Sequence, residues 1–162
     1  MSKKKNLSDY NISEVPDASS MRIAIIYSEW NEEVTYALLN GAKDSLLKHG
    51  IKEDNIIVES VPGSFELPMG AQFLLKSDNT LDAVICIGCV IQGETRHFEF
   101  ISQAVANGTM KVALMHNKPV VFGVLTTDNF QQAKERSGGV HGNKGDEAAI
   151  TAIKMVNLKN IL

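Results

Sequence analysis

With 162 residues and 44% hydrophobic content, the chain has the size and composition of one globular domain with a sizeable core. A net charge of −3 excludes the basic footprint of a nucleic-acid or membrane-surface binder. No apolar run approaches the ~18 residues of a membrane span, and none follows Lys3-Lys4-Lys5; the sequence therefore predicts no secretory signal and a cytoplasmic protein, with the lysines as a solvated tail.

Residues 1–20 lack periodicity, contain Pro16 and read as an arm outside the core, either disordered or ordered by a neighbouring subunit. Residues 21–162 read as a single α/β domain. Arg22 to Tyr27 is a first strand, followed by the loop Ser28-Glu29-Trp30-Asn31. Val34, Leu38, Ala42 and Leu46 recur every four residues, the stripe of an amphipathic helix, with Gly50 past its end. Ile56-Ile57-Val58 is a second strand, followed by a loop carrying Ser64, Phe65 and Glu66, and Pro68 suits the first turn of the next helix.

Ala83 to Ile87 is a third, β-branched strand of the kind buried on both faces. Gly88 is expected to break it. A helix follows with Phe98, Ile101, Val105 and Val112 on one stripe, and Gly108 marks close packing or a bend. Pro119 to Val124 is a fourth strand. Asp128 is expected to cap a short helix with Gln131 in the reciprocal position, Ser137-Gly138-Gly139 to end it, and a last helix to start near Lys144 with Ala149, Ala152, Ile153 and Val156 buried. This alternation predicts a three-layer α/β/α sandwich around a four-stranded parallel, flavodoxin-like sheet.

Ligands bind such sheets at the carboxyl ends of the strands. The loops there offer Trp30 and Asn31, then Ser64 and Glu66, then Gly93-Glu94-Thr95 at a helix start with His97 just inside it. Backbone N–H groups at a helix start cradle anions, and an imidazole beside them moves protons near neutral pH. The pair points to a phosphorylated substrate and a proton transfer. Gly88 and Gly93 have P-loop spacing, but Glu94 replaces the required lysine and would repel a triphosphate, which excludes ATP and GTP. Cys86 and Cys89 are spaced as a redox pair, yet they sit in and just after a strand rather than at a helix start, and no second pair completes a zinc site. Trp30, the one tryptophan, lies in a polar loop suited to stacking on a planar ligand. Phe122 taken alone reads as core, Arg136 as a surface cation at a helix end, and His49 and His116 as surface residues.

The motifs SEWN at 28–31, VPGSFELP at 61–68, GCVIQGETRHFEF at 88–100 and the long block from Pro119 to Ala149 resemble lumazine synthase, the penultimate enzyme of riboflavin biosynthesis, over residues 22–155. The resemblance implies a cofactor-independent transferase that joins 5-amino-6-(D-ribitylamino)uracil to 3,4-dihydroxy-2-butanone 4-phosphate, with release of phosphate and water. By motif, Trp30 stacks on the pyrimidine, and Asn31 beside it also binds substrate. Ser64, Phe65 and Glu66 hold the ribityl chain, and Cys89, Val90 and Ile91 hold the uracil edge. Glu94 and Thr95 bind the butanone phosphate, His97 transfers protons, and Phe122, Arg136 and Lys144 come from the neighbouring subunit. His141, near Arg136, competes with His97 for the proton-transfer role. The family's ordinary residue is often Ala at Ser64 and at Cys89. The resemblance further implies a homopentamer, which some family members stack into an icosahedral shell, leaving pentamer, decamer and shell open, and association with riboflavin synthase. A lumazine- or flavin-binding protein without catalysis would need neither His97 nor Arg136.

Overall fold

The computed structural model describes residue 6 and residues 8–162. Strands β1 (Ile23–Ser28), β2 (Ile56–Val61), β3 (Ala83–Ile91) and β4 (Val120–Thr127) form one parallel sheet in the order β2-β1-β3-β4. Between them run α1 (Glu32–Lys48), α2 (Leu67–Ser77) and α3 (His97–His116). After β4 come α4 (Phe130–Glu135), a small antiparallel hairpin of β5 (Ser137–Gly139) and β6 (Gly142–Asn143), and α5 (Lys144–Ile161).

Side chains alternate across a strand, and this divides the core in two. Ile23, Ile25, Ile85, Ile87 and Cys89 face α1 and α5, where Val34, Leu38, Ala42, Leu46, Ala149, Ala152, Ile153 and Val156 are all buried. Ala24, Ile26, Val84 and Cys86 face α2 and α3, against Leu67, Ala71, Leu75, Val105 and Val112. The three layers are those expected, and both helical stripes read for α1 and α5 are in place. The stripe read for α3 is narrower: Phe98 and Ile101 are half-buried, and Val105, Thr109 and Val112 form its buried line. Gly108 is a packing glycine, since a Cβ there would stand 2.8 Å from Pro68 Cγ. Among the described residues no helix is long and apolar enough to cross a membrane.

Several local expectations are corrected. Gly88 does not end β3. The strand continues beside β4 from Gly88↔Val124 to Ile91↔Thr127, and Gln92 N–H still donates to the Thr127 carbonyl at 2.8 Å. The cap of α4 is one residue later than expected: Asn129 accepts from Gln132 N–H at 2.9 Å, and Gln132 Oε1 accepts from Asp128 N–H at 3.0 Å. Ser137-Gly138-Gly139 begins a hairpin, with Gly138 and Gly142 at positive φ.

Lys3-Lys4-Lys5 lies outside the described residues. Within residues 8–20 several side chains make contacts to their own chain. Ala18 is fully buried and Val15 packs beside it. Ser8 Oγ donates to Asp146 at 2.6 Å, and Tyr10 meets His49 Nε2 at 3.2 Å. His49 is therefore half-buried, and desolvation together with Lys48 lowers its pKa below the usual histidine value. His116 is half-buried too, with Nε2 enclosed and unpaired.

Candidate functional site

Three loops leave the sheet at the carboxyl ends of β1, β2 and β3. The first holds Trp30, which is 69% exposed, unusual for the largest apolar side chain. Its backbone N–H donates to the Pro62 carbonyl at 3.3 Å, and a Cβ on Gly63 would lie 3.5 Å from Trp30 Cε3. The indole therefore rests along the second loop. Asn31 follows and donates Nδ2 to the Cys89 carbonyl at 2.9 Å.

The second loop turns through a 3-10 segment, Ser64–Glu66. Glu66 closes the turn on Gly63, accepting from its N–H and donating to its carbonyl, both at 3.2 Å. Phe65 projects outward, 56% exposed. Ser64 is buried, and its Oγ meets Ser28 Oγ at 3.4 Å. Gly88 is explained here, since a Cβ on it would come within 2.7 Å of Ser64 Oγ. Ser28 is a partner that the reading of the sequence passed over. The available signal was a small hydroxyl residue closing an apolar strand.

On the third strand, Cys89 and Ile91 point toward α1 and α5, and Val90 toward α2 and α3. Cys86 shares the face of Val90, so the two thiols lie on opposite sides of the sheet. Burial pushes both up to about 12. Protonated, separated thiols form no redox pair. Among the described residues no group of three His, Cys, Asp or Glu is placed to hold a metal.

Gln92, Gly93, Glu94, Thr95 and Arg96 are exposed, and a Cβ on Gly93 would have open space around it among the described residues. This open crossing ends at the start of α3, a 20-residue helix with no side-chain cap. Thr95 Oγ1 accepts from His97 N–H at 3.3 Å, and the His97 side chain is exposed at the first helical position. The positive end of the helix dipole thus faces the crossing.

Phe122, Arg136 and Lys144 stand elsewhere. Phe122 is half-buried against the α2/α3 core and, with Lys144, lines a groove of about 780 Å³ over the edge strand β4, between α3 and α5. Met110, Leu114 and Met155 expose apolar surface in the same groove. Arg136 caps the end of α4 and donates Nη1 to the Gln132 carbonyl at 3.0 Å. Glu135 lies 3.9 Å from Arg136 Nη1 and 3.8 Å from His141 Nε2. Lys144 Nζ pairs with Glu147 at 2.6 Å. Among the described residues no hydrogen bond or ion pair joins these three to Trp30, Ser64, Glu66, Glu94, Thr95 or His97.

A family model described as 6,7-dimethyl-8-ribityllumazine synthase matches residues 20–160. The curated 6,7-dimethyl-8-ribityllumazine synthase of Cytophaga hutchinsonii is 60% identical over 152 residues, covering 94% of each chain. Those of Parabacteroides distasonis and Porphyromonas gingivalis are 53% and 50% identical, covering 94% and 96% of this chain and 95% and 96% of theirs.

Proposed function

The chain belongs to the 6,7-dimethyl-8-ribityllumazine synthase family, and on that footing we propose that it condenses 5-amino-6-(D-ribitylamino)uracil with 3,4-dihydroxy-2-butanone 4-phosphate, releasing phosphate and water. In this reading Trp30 stacks on the pyrimidine, and Cys89, Val90 and Ile91 present backbone groups to the uracil edge. Ser64, Phe65 and Glu66 take the ribityl chain. Glu94 and Thr95, at the start of α3, receive the butanone phosphate, largely through backbone N–H groups. His97 moves the protons.

The observation that carries the reading is that an exposed indole and an open helix start both stand at the carboxyl ends of the neighbouring strands β1 and β3. One is a platform for a flat ring and the other a cradle for an anion. An amine and a ketone condense readily once aligned, and alignment supplies on the order of 7–11 kcal/mol. What remains is proton transfer, suited to an imidazole, and stabilisation of the departing phosphate by fixed positive charge.

The second half of the site is supplied by a neighbouring copy in a homopentamer. Phe122 covers the ring, Arg136 grips the phosphate as a bidentate fork and Lys144 adds charge. Support comes from the apolar groove around Phe122 and Lys144. Assembly of pentamers into an icosahedral shell, association with riboflavin synthase and a cytoplasmic location belong to the same reading. So does an arm within residues 1–20 that a neighbour helps to order.

An absorbance assay with both substrates tests the function. Lumazine should form only when both are present, with one phosphate released per ring closed. Binding of the pyrimidine without turnover would replace the enzyme with a binding protein.

A further inference from the structure

Asn31 is one of two non-glycine residues at positive φ among those described (φ 60, ψ 45). Asparagine tolerates this left-handed region better than most side chains. Asn31 occupies the N-cap of α1, yet its side chain makes no cap hydrogen bond. It reaches instead to the Cys89 carbonyl, 2.9 Å from Nδ2 and 58 positions along the chain. That carbonyl lies beyond the last β1 residue paired with β3. The β1–β3 register ends at Tyr27↔Ile87, whereas β3 runs on beside β4 to Ile91↔Thr127. The Asn31 amide supplies the partner that the departing strand does not, at a carbonyl that would be costly to enclose unpaired.

The same loop is tied on its other flank to β2. Glu29 N–H donates to the Val61 carbonyl at 2.9 Å and Trp30 N–H to the Pro62 carbonyl at 3.3 Å. Trp30 is thus suspended between two anchored flanks, and Asn31 is its tie to β3. Among the described residues no hydrogen bond or ion pair connects Asn31 with Glu94, Thr95 or the start of α3.

We propose that Asn31 is a positioning residue for the pyrimidine half of the site. Its amide and left-handed backbone lock the Trp30 loop to the end of β3 and set the indole against Cys89, Val90 and Ile91, without Asn31 itself touching substrate. The proposal rests on the reading of Trp30 as the stacking residue.

Two variants separate the contributions. Asn31→Asp keeps the shape and the tolerance of positive φ but loses the donor. Asn31→Gly keeps the backbone freedom and loses the side chain. Trp30 is the one tryptophan, so its fluorescence anisotropy in the substrate-free enzyme reads the loop directly, with circular dichroism confirming the fold. In both variants the anisotropy should fall. The Kd for 5-amino-6-(D-ribitylamino)uracil, read by quenching of Trp30, should rise about fivefold while the KM for the butanone phosphate stays within about twofold. A raised Kd with unchanged free-enzyme anisotropy would make Asn31 a direct substrate contact and overturn the proposal. A fallen anisotropy with unchanged Kd, or no change in either, would overturn it as well. If the pyrimidine fails to quench Trp30 in the parent enzyme, the stacking reading falls separately, and the anisotropy of the free enzyme still decides whether Asn31 holds the loop.

Discussion

The backbone N–H of Lys144 donates to the carbonyl of Arg136 at 2.8 Å, so the two cations assigned to the phosphate are joined across the β5–β6 hairpin. This bond ties the end of α4 to the start of α5. Among the described residues, Arg136 Nη1 donates to the Gln132 carbonyl and lies 3.9 Å from Glu135, and Nε and Nη2 offer a fork for an anion.

Arg136→Ala should raise the KM for the butanone phosphate far more than that for the pyrimidine. Loss of a charge-assisted hydrogen bond costs ~1.5–3 kcal/mol, or roughly tenfold to a hundredfold. Steady-state kinetics with each substrate varied in turn measures the ratio. Equal effects on both substrates would remove Arg136 from the phosphate.

A second prediction concerns the division of the site. Trp30 and Arg136 lie in separate halves of one chain, so Trp30→Ala and Arg136→Ala subunits carry complementary defects. Mixed in equal amounts and reassembled, they should regain activity, because about one interface in four of a heterologous ring then holds both intact residues. Native mass spectrometry verifies that the rings are mixed. Mixed rings without any recovered activity would sink the shared site.

The fold was largely legible because its signals are local. β-Branched runs marked four strands, and four-residue spacing marked the stripes of α1 and α5. Gly88 misled because a glycine in a strand looks like a break when its cause is distant: the Ser64 hydroxyl leaves no room for a Cβ. The true end of β3 is set by pairing with β4, 36 residues further on, which no local pattern reports. The Asn31 tether is hidden for the same reason, since its acceptor is a backbone carbonyl that becomes available only once strand order is settled. Residues 1–20 read as an arm because they lack periodicity, a signal that does not report single contacts such as those of Ser8, Tyr10 and Ala18.

The thiols give the folded chain a weakness at high pH. Burial holds Cys86 and Cys89 protonated up to about 12, whereas an unfolded thiol ionises near 8.5. The folded-state pKa is the higher one, so this contribution to stability is fully present below about pH 8.5 and is lost as pH rises toward the folded value, at up to about 1.4 kcal/mol per pH unit for each thiol. Thermal midpoints should fall between pH 9 and pH 11. Cys86→Ala and Cys89→Ala should each flatten that fall, at the cost of some stability at neutral pH. Slopes identical to the parent's would show that other groups set the alkaline limit.

The last prediction concerns which histidine moves protons. His97 is exposed at the first position of α3, two residues after Thr95, whose hydroxyl accepts its backbone N–H. His141 lies beside Glu135, in the half that carries Arg136. General acid–base groups contribute ~10²–10⁴ in rate, but this condensation proceeds partly by alignment, so His97→Ala should lose activity at or below the low end of that range. Both substrates should still bind, because the indole and the phosphate contacts are untouched. The parent's pH–rate profile should carry a limb set by an imidazole. Assayed at saturating substrate across pH, His97→Ala should lack that limb and His141→Ala should keep it. The opposite pattern would transfer the proton to His141, place the acid–base group in the same half as the phosphate fork, and leave the start of α3 with anion binding alone.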